Sequence, residues 1–157
     1  MKFWFRYIFK NLSIIEIGDE NRLTNKIISD LPNLMGFVFE DLVKEFLREL
    51  NLKQELPFGF ARIGSYWNRT WSVEVDIVAV DDEKDRILFG ECKLSSSKMD
   101  MGVINKLKSR ANAIDWRREK REEYFVVFTA DEIEANIKKA FEGQGIVVYS
   151  LKDLILS

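Results

Sequence analysis

The chain has 157 residues, of which 46% are hydrophobic, and a formal net charge of −2. That is material for one globular domain with a sizeable core, and no run approaches the roughly 18 apolar residues of a membrane-spanning helix. There is no histidine and one cysteine, Cys92, which excludes His-based catalytic triads, His-ligated zinc and an internal disulfide, and suits a reducing cytoplasm.

Lys2–Leu12 reads as a helix, with Phe3, Trp4, Phe5, Tyr7, Ile8 and Phe9 around nearly its whole circumference. A helix apolar all round is normally buried. Arg6 and Lys10 interrupt the run and no small-residue cleavage site follows, so it does not read as a signal peptide. Its apolar surface predicts packing back on the domain, a homodimer, or docking on another domain. Ile14–Ile17 is a short apolar segment and Gly18–Asn25 a polar loop. Residues 1–30 are therefore read as an aromatic helix with a connecting segment, and residues 31–157 as the main domain.

The next helix is expected from Pro32 or Asn33 to about Leu50, with Met35, Phe39, Leu42, Val43, Phe46 and Leu50 as one stripe flanked by Val38 and Leu47. Glu40 sits on the edge of that stripe, the usual place for a boundary residue of an amphipathic helix. Pro57 opens a strand over Phe58–Trp67, and Asn68-Arg69-Thr70 turns it into the next, with Trp67 and Trp71 packing across the turn.

Trp71–Ser95, WSVEVDIVAVDDEKDRILFGECKLS, is the most informative stretch. Asp82-Glu83-Lys84-Asp85 is its only polar run, so it reads as a hairpin symmetric about Glu83 and Lys84. That register sets Asp76 opposite Glu91 and Glu74 opposite Lys93. Alternation puts Glu74, Asp76, Val78 and Val80 on one face with Ile87, Phe89, Glu91 and Lys93. The other face carries Val73, Val75, Ile77, Ala79, Leu88, Gly90, Cys92 and Leu94, without a charge. Opposed carboxylates repel, and burial adds to the cost unless a cation compensates. A divalent cation would do so, since Mg²⁺ is commonly held by one or two carboxylates with waters and phosphate oxygens. A solvated sheet edge with an ordinary Glu74–Lys93 ion pair remains the alternative.

Ser95-Ser96-Ser97 is read as a loop ending in a helix N-cap, followed by a helix to about Arg121 that turns Val103, Leu107, Ala111 and Ile114 inward. Lys93–Arg121 carries nine Lys/Arg against three Asp/Glu, so positive charge gathers here despite the acidic total. Lys98, Lys106, Lys108 and Arg110 are candidate contacts to nucleic-acid phosphates, whereas Arg117, Arg118, Lys120 and Arg121 suit a solvated helix end. Tyr124–Thr129 reads as a buried parallel strand. Asp131 is a candidate N-cap for a helix over Ile133–Phe141, ended by Gly143 and Gly145. A short strand at Ile146–Tyr149 and a C-terminal helix complete an α/β fold, a mixed β-sheet flanked by helices.

Asp76 followed after a turn by Glu91-Cys92-Lys93 resembles the D…(D/E)-x-K signature of the PD-(D/E)XK, or restriction-endonuclease-like, nuclease superfamily. More narrowly, VEVDIVAV…ILFGECKLS resembles a domain of unknown function at the C-terminus of archaeal DEXX-box ATPases. The likeness extends to KFWFRYIFKN at Lys2–Asn11, GFVFEDLVKEFL at Gly36–Leu47 and RIGSYWN at Arg62–Asn68. The proline usual before the first acid is replaced by Val75. The resemblance implies an αβββαβ core with one added strand. It also implies an endonuclease in which Asp76 and Glu91 hold Mg²⁺ or Mn²⁺, Lys93 serves the chemistry, Glu40 joins from the helix and Glu74 is accessory. Nucleic acid, DNA foremost, would be the substrate, and an upstream ATPase domain would adjoin the aromatic helix. The competing implication is a nuclease fold that does not cut and acts as an interaction or regulatory module.

Overall fold

The computed structural model describes residues 4–70 and 72–156, so the readings placed on Lys2, Phe3 and Trp71 lie outside the described residues. The chain divides into two compact units, Met1–Phe37 and Val38–Ser157. No helix among the described residues is long and apolar enough to cross a membrane.

In the first unit the aromatic run is helical but irregular. A π-helical turn at Trp4–Ile8 passes through a 3₁₀ turn at Phe9–Asn11 into α1, Leu12–Ile17. Tyr7 is buried and donates through its hydroxyl to Asp30 Oδ2 at 2.7 Å. Trp4, Phe5, Phe9, Leu12, Ile15 and Ile17 are exposed. The expected loop at Gly18–Asn25 shrinks to Gly18 and Asp19. Gly18 takes the left-handed C-cap of α1, and Asp19 Oδ1 accepts from the Arg22 N–H at 3.1 Å. Helix α2 then starts at Glu20 and runs to Lys53, thirty-four residues with Pro32 inside. An interior proline removes one donor and its ring crowds the carbonyl four residues back, yet α2 continues through Pro32, which is not the helix start that its position suggests.

The second unit holds one five-stranded sheet in the order β1-β2-β3-β4-β5. Its strands are β1 Arg62–Trp67, β2 Glu74–Asp81, β3 Arg86–Lys93, β4 Glu122–Thr129 and β5 Ile146–Ser150. β1 to β3 form an antiparallel meander, while β4 and β5 run parallel to β3. The mixed α/β sheet expected from the sequence is thus present. The first strand is shorter than Phe58–Trp67, because Asn51 bonds both backbone groups of Phe60 (2.9 and 3.1 Å) and holds that segment outside the ladder.

Helices cover both faces. On one, Phe39, Val43, Phe46, Leu47 and Leu50 of α2 pack with Ile77, Ala79, Leu88, Val126 and Phe128. Met35, Val38 and Leu42 of the expected stripe are exposed. On the other face lies α3, Met101–Asn112, whose Leu107 and Ala111, followed by Ile114, pack on Val75, Val80, Ile87 and Phe89. Phe141 of α4, Ala135–Glu142, packs with Val127, Ile146 and Val148. The short α5, Leu151–Leu156, follows β5.

Several boundaries differ from the sequence reading for local reasons. The N-cap of α3 is Asp100, whose Oδ1 accepts from the Val103 N–H at 3.1 Å, while Ser96–Lys98 form a 3₁₀ turn. Helix α3 stops at Asn112 rather than near Arg121, and Arg121 turns back to bond the carbonyls of Ala111 and Ile114 at its end. Asp131 does not cap α4; its carboxylate accepts from the Ser96 N–H at 3.2 Å.

Gly90 lies where neighbouring strands leave no room for a side chain. A Cβ there would stand 2.8 Å from Ile77 Cβ and 3.2 Å from Val126 Cγ1. Gly90→Ala is expected to lose about 1–3 kcal/mol through overpacking. Urea denaturation checks this, and an unchanged midpoint would contradict the packing.

Candidate functional site

The hairpin carries the site, and its register is the expected one. Ile77 pairs with Gly90, Val78 with Phe89 and Asp81 with Arg86. Asp81 Oδ1 accepts from the Glu83 N–H at 3.0 Å, a side-chain turn that closes the loop. The ladder ends one pair short of Asp76 and Glu91. Asp76 instead takes the Cys92 N–H on its own Oδ2 at 2.8 Å. Its carboxylate therefore lies in the opening between β2 and β3 rather than standing off one face.

A bulge in β2 explains this. Gly64 pairs with Val78, but Tyr66 pairs with Val75, so Asp76 and Ile77 together oppose Ser65. The bulge reverses the alternation beyond it. Val75 packs on the α3 side although Ile77 and Ala79 pack on the α2 side. The uncharged face read from the sequence is thus broken at Val75. Glu74 changes side as well. It is exposed, its charge is felt by Glu40 of α2, and the expected Glu74–Lys93 pair is replaced by Lys93–Glu91.

Glu91 is the centre of the charge network. Its side chain is 6% exposed; Lys93 Nζ donates to Oε1, and Arg110 Nη1 of α3 donates to Oε2 at 2.9 Å. Asp76 has its pKa raised to about 6, first by burial and then by Glu91, against the Cys92 N–H, Lys93 and Arg110. Glu40 is raised to about 7, first by burial and then by Asp76, with Lys44 opposing at 3.9 Å. Burial, with Asp76, Glu40 and Glu91, also pushes the Cys92 thiol up. Four elements thus bring Glu40, Asp76, Glu91, Lys93 and Arg110 into one electrostatic neighbourhood, at the carboxyl end of β3, where sheets with parallel strands tend to bind ligands. Among the described residues, no group of three or more acids or cysteines is arranged to hold a metal ion.

The basic candidates separate. Lys98 and Lys106 are exposed, Lys108 lies over the Phe125 ring at 5.8 Å, and Arg110 is committed to Glu91. Sequence reading missed Thr129, the parallel partner of Lys93; it is fully buried, and its hydroxyl has no hydrogen-bond partner among the described residues. The Lys93–Thr129 pairing has no signal in either segment alone. Of the expected solvated helix end, Arg117, Arg118 and Lys120 are exposed, although they lie beyond the end of α3, and only Arg121 departs from that reading. Arg117 bonds the Asp82 carbonyl and Asp85, and Lys120 reaches Asp85 at 3.1 Å, so both clasp the hairpin turn. Arg121 is buried.

The sequence pattern of a family described as archaeal and bacterial proteins of unknown function matches residues 4–107. The chain belongs to that family. The matched span contains Glu40, Asp76, Glu91 and Lys93 and stops short of Lys108 and Arg110. An uncharacterized protein of Methanocaldococcus jannaschii is 45% identical over 96 residues, covering 61% of this chain and 21% of that protein. The chain therefore spans about a fifth of the length of this curated relative. No solved structure matches.

The raised carboxyl pKa values give a pH dependence of defined sign. Between pH 4 and 7, in metal-free buffer, the native state holds protons on Glu40 (folded pKa about 7) and Asp76 (about 6) that the unfolded chain has released. Stability from these groups is therefore present at low pH and is lost as pH rises through the folded values. Asp41 and Glu74 add to the repulsion at Glu40. Urea midpoints are expected to fall over this window, and less so in Glu40→Gln and Asp76→Asn. A wild-type profile that rises there would refute the raised carboxyl pKa values.

Proposed function

We propose that this chain is a Mg²⁺- or Mn²⁺-dependent nuclease domain that hydrolyses nucleic-acid phosphodiesters, DNA foremost, as part of a longer protein. The observation that carries the reading is that Asp76 lies where the β2–β3 ladder opens, near enough to Glu91 for their charges to repel, with Lys93 on the Glu91 carboxylate. The donor chemistry fits a hard divalent cation, because both acids offer oxygen and such ions need only one or two carboxylates besides waters and phosphate. The raised pKa of Asp76 fits as well, since burial and then Glu91 make its charged form costly, a cost that a bound cation would offset. Asp76 and Glu91 would hold the ion. Bound there, it would polarise the phosphate and acidify a bound water.

The remaining work falls to side chains of the chain itself. The Lys93 ammonium orients the attacking water or stabilises charge on the pentavalent phosphorus. Glu40, near neutrality in pKa, takes up a proton on its carboxylate. Glu74 is accessory at most, through its charge on Glu40. Exposed Lys98 and Lys106 neutralise backbone phosphates without reading sequence. The test is Mn²⁺ titration alongside cleavage of duplex, branched and single-stranded substrates. Metal-dependent cutting supports the reading, and absence of Mn²⁺ binding sinks it.

A second reading, an interaction or regulatory module that does not cut, is favoured by one observation. Glu91 is already neutralised by Lys93 and Arg110, so the acids persist without a metal at less cost than their sequence spacing implies. The exposed Trp4, Phe5 and Phe9 would then dock a second copy or the rest of a longer, ATPase-type protein.

A further inference from the structure

We propose that Lys93 and Arg110 form a phosphate-binding pair that is held on Glu91 in the free protein. A nucleic-acid phosphate draws the two cations away and frees Glu91 for the divalent ion, so that substrate and metal bind cooperatively. The inference rests on the nuclease reading and adds to it the role of Arg110 and a link between the two ligands.

The geometry is directional. The Glu91 carboxylate is 6% exposed, while the Lys93 and Arg110 side chains are 30% and 35% exposed. An anion arriving from solvent meets the cations before it meets the acid. Each Glu91 oxygen is bonded by a different cation, so a metal placed on Glu91 would sit against two positive charges. The trio carries one net positive charge, which a phosphodiester neutralises. Arg110 suits that exchange. A guanidinium has five N–H donors in a planar fork that matches two phosphate oxygens, so the bond to Glu91 can be traded for a two-pronged one. Lys106 lies four residues earlier on α3, on the same helix face, and is exposed, which continues the positive track towards solvent. Linkage makes the effect reciprocal: metal that takes Glu91 frees the cations for phosphate.

The experiment measures Mn²⁺ affinity of the full chain by calorimetry, with and without a cleavage-resistant phosphorothioate duplex. Wild type, Arg110→Gln and, as a control on the exposed surface of α4, Lys139→Gln are compared. Wild type and Lys139→Gln are expected to gain about 5–150-fold in Mn²⁺ affinity with the duplex, the usual size of a coupling. Arg110→Gln is expected to bind Mn²⁺ alone at least as tightly as wild type and to lose most of the gain. Wild type that binds both ligands with no gain overturns the inference and leaves the nuclease reading standing; this arm needs no variant to fold. An equal gain in Arg110→Gln overturns it too. Absence of Mn²⁺ binding with and without duplex overturns the nuclease reading and this inference together.

Discussion

Asp76→Ala is expected to abolish Mn²⁺ binding and to lower phosphodiester hydrolysis by about 10³-fold or more, because groups that act as one unit fail together. The substitution also strips the acceptor from the Cys92 N–H, so a loss of activity could come from a distorted strand. Asp76→Asn separates the causes, since the amide oxygen still accepts from that N–H while the charge is gone. It is expected to fold like wild type and bind no metal. Lys93→Ala is expected to keep metal binding, since it removes a cation from Glu91. Hydrolysis should fall by about 10²–10³-fold, the usual loss for one electrostatic stabiliser. Calorimetric titration and a cleavage assay on these three variants decide the matter. Cutting that survives Asp76→Ala would place the chemistry elsewhere.

Arg121→Ala is expected to be among the most destabilising single changes, about 3–5 kcal/mol, because it empties a buried charge position and leaves the carbonyls of buried Ala111 and Ile114 without their donor. The guanidinium donates to the carbonyls of Ala111 (2.8 Å), Ile114 and Trp116 (2.9 Å), and it pairs with Glu123 at 2.7 Å. It also lies 5.3 Å from the centre of the Phe89 ring. These contacts satisfy the open end of α3 and tie it to β3 and β4, which keeps Arg110 over Glu91. Arg121→Lys is expected to recover little, since an ammonium cannot span three divergent acceptors. Urea denaturation reads the loss directly, and a change below about 1 kcal/mol would assign Arg121 to the surface after all.

The parts of the fold legible in the sequence are those set by local pattern. Asp82–Asp85 between two apolar runs specified the hairpin and its register, since a short polar turn leaves one symmetric pairing. The unbroken apolar run ending at Thr129 specified a strand covered on both faces. The periodic Val103, Leu107 and Ala111 specified the inner face of α3, and Ile114 packs inward just beyond its end. Asp76 and Glu91 were legible as candidates because opposed carboxylates in apolar strands need a reason, whereas Glu40 and the role of Lys93 came from the family resemblance.

What the sequence left open depended on partners distant along the chain. The β2 bulge arises from pairing with β1, and it alone moves Val75 and Glu74 to the opposite faces. Arg121 reads as one more cation in a basic run until the end of α3 folds over it. Asp131 has the composition of a helix cap but serves the Ser96 N–H. The largest such decision concerns Glu91. Its neighbours in sequence mark it as an acid at risk of burial, but only the packing of α3 against β3 brings Arg110 to its second oxygen. Alternation and periodicity place a residue on a face, because they follow from backbone geometry. Which charge meets it there is a property of the assembled sheet and helix, where low dielectric makes a single ion pair decide the state of the site.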